Sequence, residues 1–270
     1  MTATDVLASR RIRAGDQIIS YLEAGNGPPL VLLHGIGSAG RSFRHQLSGL
    51  STRHRVIAWD APGYGESSPL PQVHPSASDY AGALAVFLDA LGIERCHLVG
   101  HSLGCLMAAR FAVLHPARVL RLALSSIAAG HAALAAKERE RLLAQRLEDV
   151  AVLGARGMAE KRGPRLLGPE AVPQMVRAVV DTMAAIRSDG YAQAARMLSI
   201  GDIRADIATL PAALPVQVIY GDADVITPPA RNLEIASLRP DMPVHVIAGA
   251  GHALYLEKPD AFNAAIAAQF

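Results

Sequence analysis

Apolar positions along this chain alternate between short unbroken runs and stripes at helical spacing. Between Arg11 and Glu23 polar and apolar residues alternate roughly about Ala14-Gly15-Asp16, the signature of an antiparallel hairpin. Gly25-Asn26-Gly27-Pro28-Pro29 ends it. Leu30 to Leu33 and Arg55 to Trp59 are then short continuous runs, as expected of strands covered on both faces. From Ser76 the period changes: Tyr80, Leu84, Phe87, Leu88 and Leu91 fall at i, i+4, i+7, i+8 and i+11, behind a Ser76/Asp79 capping box and ahead of Gly92. A strand from Cys96, a helix over Leu103 to Leu114 and a strand over Leu120 to Leu124 follow with short loops. This alternation predicts an α/β fold, a mostly parallel sheet with helices on both faces.

Between about His131 and Leu210 the strand signal disappears. Lys137 to Val150 reads as a charged surface helix, Val176, Val179, Val180, Met183 and Ile186 form a helical stripe, and Tyr191 to Ile200 forms another. Strands resume with Pro215 to Tyr220 and Val244 to Ile247, and a last helix starts at Pro259. The expected organisation is a core over 1–130 and 211–270 with a helical lid inserted at 131–210, above the sheet's carboxyl edge.

Ligands of open parallel sheets bind outside the carboxyl ends of the strands. The predicted strands deliver there His34-Gly35-Ile36-Gly37, Asp60, Ser102, Ser125-Ser126, Asp222 with Asp224, and Gly249-Ala250-Gly251-His252. Gly100-His101-Ser102-Leu103-Gly104 lies between a strand and a helix, the context of a nucleophile elbow, whose sharp turn leaves no room for side chains two positions before and after the serine. A serine hydroxyl needs a base to take its proton and an acid to orient that base. His252 is the candidate base, because the preceding glycine-rich loop lets it reach back to the elbow. His101 is adjacent to Ser102 and cannot fold onto its hydroxyl, His97 and His245 lie within strands, and His34 belongs to a loop needed for its backbone. Asp224 is favoured as the acid over Asp222, whose place directly after the strand suits capping of loop amides, and Asp60 remains an outsider. The N–H groups of Leu103, at the start of a helix, and of Ile36 are the candidate oxyanion donors, each worth on the order of 10² to 10³ in rate.

Composition narrows the setting. At 270 residues, 51% hydrophobic and 19% charged, the chain is long enough for a sizeable core and is not a disordered one. Its net charge of +2, with no basic block interleaved with aromatics, gives no support to nucleic-acid binding. Met1 to Gly15 carries Asp5, Arg10, Arg11 and Arg13 and no apolar core of signal-peptide length, and the apolar window Leu120 to Ala136 is broken by Arg121, two serines and His131. A cytoplasmic enzyme acting on a small molecule, with no membrane partner, is expected. Cys96 and Cys105 flank the elbow, too far apart for a disulfide, and read as buried free thiols. No His/Asp/Cys cluster outside the Ser/Asp/His set has metal-ligand spacing, so neither metal nor cofactor is expected.

His34-Gly35-Ile36-Gly37, Asp60 to Ser67, Gly100 to Gly104, Gly221-Asp222-Ala223-Asp224 and Gly251-His252 to Glu257-Lys258-Pro259 occur in the order of the motifs of the α/β-hydrolase superfamily. Over about residues 11 to 270 the chain resembles the serine-nucleophile branch that carries a helical cap, in particular bacterial esterases, enol-lactonases and ring-fission-product hydrolases. The resemblance implies a Ser102, Asp224, His252 triad. It departs from the ring-fission group, which has Asn before the serine and Gly-Gly after the next residue, where His101, Gly104 and Cys105 stand here. A serine at the elbow also argues against haloalkane dehalogenases and epoxide hydrolases, which use aspartate. The expected activity is hydrolysis of a small carboxylic ester or lactone. Carbon–carbon bond hydrolysis of a vinylogous diketone is the alternative, and a ligand receptor without turnover on the same fold a further one. Four of seven methionines, Met158, Met175, Met183 and Met197, lie in the lid and suit either an adaptable pocket or plain helix packing. Arg156, Lys161, Arg162, Arg165, Arg187 and Arg196 are lid cations able to clamp a substrate carboxylate or simply to face solvent.

Overall fold

A computed structural model describes residues 8–268; the first seven residues of the N-terminal stretch read above lie outside the described residues. Eight strands form one sheet: β1 (Arg10–Ala14), β2 (Gln17–Ala24), β3 (Pro29–Leu33), β4 (Arg55–Trp59), β5 (Cys96–His101), β6 (Val119–Ser125), β7 (Val216–Gly221) and β8 (Val244–Ile247). Their spatial order is β1-β2-β4-β3-β5-β6-β7-β8. β1 pairs antiparallel with β2, and β2 antiparallel with β4, so the predicted hairpin extends one edge of an otherwise parallel sheet.

The helices are α1 (Arg44–Leu50), α2 (Ala77–Ala90), α3 (Leu103–Leu114), α4 (Ala136–Arg162), α5 (Pro173–Ala184), α6 (Ser188–Ile200), α7 (Ile203–Thr209), α8 (Pro229–Ala236), α9 (Leu254–Glu257) and α10 (Pro259–Ala267). α2 begins at the capping box read from the sequence: the Asp79 carboxylate accepts from the Ser76 N–H and hydroxyl, both at 2.7 Å. The short helices α1, α8 and α9 carry no apolar stripe long enough to be read from spacing.

The continuous apolar strands divide their side chains between two cores by the period-2 rule. Val31, Leu33, Ile57, Trp59, Leu98, Leu122 and Leu124 face one cluster with α2, α3 and α8. Leu30, Leu32, Val56, Ala58, Val99 and Ala123 face the other with α1, α9 and α10. Burial on both faces is why these strands show no alternation.

The charged helix expected over Lys137 to Val150 runs further, to Arg162, through a break at Gly154 (φ 64°, ψ 174°). That conformation is open essentially to glycine alone, so the chain bends there and the helix resumes. The four helices α4 to α7 all fall between β6 and β7. Met158, Met183, Tyr191 and Met197 continue the first core cluster upward. The Gln193 amide in α6 donates to the Leu70 and Gln72 carbonyls, each at 2.7 Å, tying this layer to the loop after β4.

Candidate active site

Strand register brings the chemistry to one edge. Leu33 pairs with Gly100, His101 with Ser125, Ser125 with Ile219, and Gly221 with Ile247. The residues that follow each strand therefore emerge side by side.

Ser102 sits between β5 and α3 at φ 53°, ψ −116°, a conformation that non-glycine residues rarely adopt. It is held there from both sides, its N–H donating to the Ser125 carbonyl at 2.8 Å and its carbonyl accepting from the Cys105 N–H at 3.0 Å. The flanking glycines are needed for space. A Cβ on Gly104 would lie 2.2 Å from the Leu33 carbonyl oxygen, and one on Gly100 would lie 2.5 Å from that of Gly104. The 34–37 loop also packs against the serine, since a Cβ on Gly35 would lie 2.9 Å from Ser102 Cβ. His34 braces that loop: its Nδ1–H donates to the Gly35 carbonyl at 2.8 Å and its Nε2 accepts the Ala61 N–H at 3.0 Å.

His252 Nδ1 and Asp224 Oδ2 are 2.8 Å apart, with both side chains buried. Asp224 is itself pinned, its Oδ1 accepting the N–H groups of Ile226 and Thr227 at 2.8 and 2.9 Å and its Oδ2 the Thr227 hydroxyl at 2.8 Å. Burial acts to raise this carboxyl's pKa, but His252 and the Thr227 hydrogen bonds outweigh it and hold the group below the usual carboxylate range. With Asp224 ionised, His252 carries its proton on Nδ1, which leaves Nε2 as an acceptor. Asp222, the rival acid, instead accepts the Gly249 N–H at 2.7 Å, the capping role expected of it. Asp60 accepts from the Ser20 hydroxyl and the Gly40 N–H at 2.7 and 2.9 Å, away from His252.

Ser102, His252, Ile36 and Leu103 all line one cavity of about 210 Å³, to whose wall α4, α5 and α6 also contribute residues. Leu103 opens α3, where the amides lack intrahelical partners and the helix dipole favours negative charge. Of the four methionines between β6 and β7, Met158 and Met183 line the cavity; of the six cations singled out in the same segment, Arg162 and Arg165 do. Arg156 pairs with Asp181 and Arg187 with Asp189, while Arg196 donates to the Val73 carbonyl.

Three supporting residues escaped sequence reasoning. His101, set aside as a base, donates from Nε2 to the His252 carbonyl at 2.8 Å and so fixes the backbone of the candidate base. Burial, with the nearby His252, pushes its pKa down to about 3, so it is neutral. Thr227 follows Asp224 by three residues, a spacing suited to an Asx-type turn that offered a usable signal. Glu257 spans two loops: Oε1 accepts the Gly251 N–H at 3.0 Å and Oε2 the Gly168 N–H at 2.6 Å. The Ala253 N–H to Leu166 carbonyl bond, 2.8 Å, runs alongside and joins the histidine loop to the connection between α4 and α5. Cys96 and Cys105 are free and buried, and burial pushes the Cys96 thiol up to about 12 and that of Cys105 higher still, so neither is a thiolate at neutral pH. Among the described residues no group of three or more His, Cys, Asp or Glu is placed to hold a metal ion, and no helix is long and apolar enough to cross a membrane.

A family model described as alpha/beta hydrolase fold matches residues 28–259. The polyketide synthase ThaQ of Burkholderia thailandensis is 33% identical over 253 residues, 92% of this chain; the chain spans 12% of that synthase's length. The 2-(acetamidomethylene)succinate hydrolase of Mesorhizobium japonicum is 30% identical over 261 residues, which are 93% of this chain and 90% of that protein. Among solved structures, a thermophilic esterase from Thermogutta terrifontis superposes with a TM-score of 0.87 at 25% identity, covering 97% of each chain.

Proposed function

The chain belongs to the alpha/beta hydrolase family, and from that premise we propose that it is a serine hydrolase of a small carboxylic ester or lactone, working through an acyl-enzyme. The observation that carries this is the conjunction of Ser102 at positive φ with His252 on the wall of the same cavity, His252 being paired with the buried Asp224. The esterase and hydrolase names of the relatives support it.

In the proposed cycle His252 Nε2 takes the Ser102 hydroxyl proton as Oγ attacks the substrate carbonyl carbon. The carbonyl π electrons move to oxygen, and the N–H groups of Ile36 and Leu103 receive that oxyanion. Collapse expels the alcohol, which leaves with the proton from His252; in a lactone it stays tethered. A water then repeats the sequence on the acyl-enzyme, passing its proton to His252 and releasing the acid. Asp224 stays ionised throughout and stabilises the imidazolium as it forms. Residues 131–210 act in this scheme as the lid that encloses the substrate over a core of 1–130 and 211–270.

The test is Ser102→Ala assayed on a short p-nitrophenyl ester. We expect kcat to fall by at least about 10⁴-fold with the fold unchanged; retained turnover overturns the assignment.

A further inference from the structure

The cavity wall has an uneven charge. Five arginines line it, Arg44, Arg146, Arg162, Arg165 and Arg231, and none of its lining residues is an aspartate or glutamate. Three of them are at least partly engaged: Arg162 pairs with Asp149, Arg231 lies 3.4 Å from Glu234, and Arg44 donates to the His45 ring. Arg165 is exposed. Arg146 differs from all of these. It is half-buried on α4, and among the described residues it has neither a carboxylate partner nor a hydrogen bond. Beside it stands His131, half-buried, whose Nδ1 is enclosed with no hydrogen-bond partner. Burial and then the charges of Arg146 and Arg231 lower the affinity of His131 for a proton. Arg146 and Arg231 thus carry the positive charge of this corner, His131 stands beside them as a neutral ring that also feels the Glu138 carboxylate, and Met158 and Leu198 add apolar surface to the same cavity.

A guanidinium facing a partly desolvated cavity without a counter-charge is unfavourable, and an anion supplied by the ligand removes that cost. The planar fork of arginine matches a carboxylate in bidentate geometry, which a lysine cannot reproduce. We propose that the substrate carries a free carboxylate in addition to its scissile ester or lactone, and that Arg146 is the residue that holds it. The inference rests on the hydrolase reading above and names the substrate class for the same cavity.

Two matched pairs of esters test it on the full chain. Mono-p-nitrophenyl glutarate against p-nitrophenyl butyrate places the carboxylate on the acyl side; 4-carboxyphenyl acetate against phenyl acetate places it on the alcohol side. The wild-type protein is expected to prefer the charged member of at least one pair. Arg146→Met should lower that preference ratio by about 10- to 100-fold, the range for losing a hydrogen bond to a charged group, with Arg146→Lys between the two. The wild-type preference should also shrink as ionic strength rises. A wild type that rejects both charged esters, or an Arg146→Met protein with the wild-type ratio, overturns the proposal. If the wild type turns over none of the four, the ester-hydrolase reading fails separately. Calorimetric binding of glutarate then decides this proposal: at least tenfold tighter binding to wild type than to Arg146→Met sustains it, and equal binding ends it.

Discussion

Two walls of one cavity are built by different means. On the sheet side Ser102 is held at φ 53° by hydrogen bonds to two neighbouring segments, between glycines whose missing side chains admit backbone atoms at contact distance. Across from it Arg146 stands on α4, a helix that bends at Gly154 and exposes much of its length, with Val152 73% and Leu153 41% exposed. The first wall places atoms through backbone geometry, which tolerates few residues. The second places charge through long side chains on a helix face, where many sequences fold equally well. The wall built from backbone geometry is therefore the more tightly constrained in sequence, and the wall built from long side chains the freer to vary.

The sharpest test of the core side is Asp224→Asn. It retains an acceptor for the Thr227 and Ile226 amides but removes the charge that holds His252 in the required tautomer, and kcat should fall about 10³- to 10⁴-fold with little change in thermal stability. A small loss in steady-state assays would mean the sheet edge does not depend on this pair. Gly104→Ala comes next. Its new Cβ would meet the Leu33 carbonyl oxygen at 2.2 Å, and forcing the elbow apart should cost about 3 kcal/mol, read as a lower unfolding midpoint in urea. An unchanged midpoint would show that the elbow has slack.

Glu257 links the segments behind the two walls, because one carboxylate accepts from Gly251 in the histidine loop and from Gly168 in the connection between α4 and α5. Glu257→Gln can accept only one of these two N–H groups well, and a loss of about 1 to 3 kcal/mol is expected, together with faster hydrogen exchange at the released amide. Exchange unchanged at both Gly168 and Gly251 would separate the walls.

The smallest effect is on pH dependence. His101 has its pKa lowered from 6.5 to about 3 by burial, so its neutral form is favoured in the folded state. Between those values the unfolded chain binds more protons, so the His101 contribution is complete above about pH 6.5 and is lost as pH falls toward 3. Glutamine in its place keeps a donor for the His252 carbonyl without titrating, and the melting temperature of His101→Gln should fall less steeply than that of wild type on acidification from pH 6.5. Parallel slopes would remove His101 from the acid response.

Much of this molecule is present in local pattern. The unbroken runs at 30–33 and 55–59 and the stripe from Tyr80 to Leu91 predict β3, β4 and α2 because burial on two faces and burial on one stripe leave different periods. The elbow is legible because its turn admits only small residues at Gly100 and Gly104, and steric demand of that kind is written at the positions themselves. Helices α1, α8 and α9 are too short to show a period, and the bend at Gly154 looks like any glycine in a helical segment. Sequence spacing alone determined that a serine, an acid and a histidine follow strands of one parallel sheet. The order of loop positions after β7 already favoured Asp224 over Asp222, and the contacts agree with it; that His101 and Glu257 brace the histidine loop, and that Arg146 reaches the cavity from another layer, were decided only by the tertiary structure. Those contacts join residues far apart in the chain, and nothing in the local period of a segment records which distant side chain it will meet.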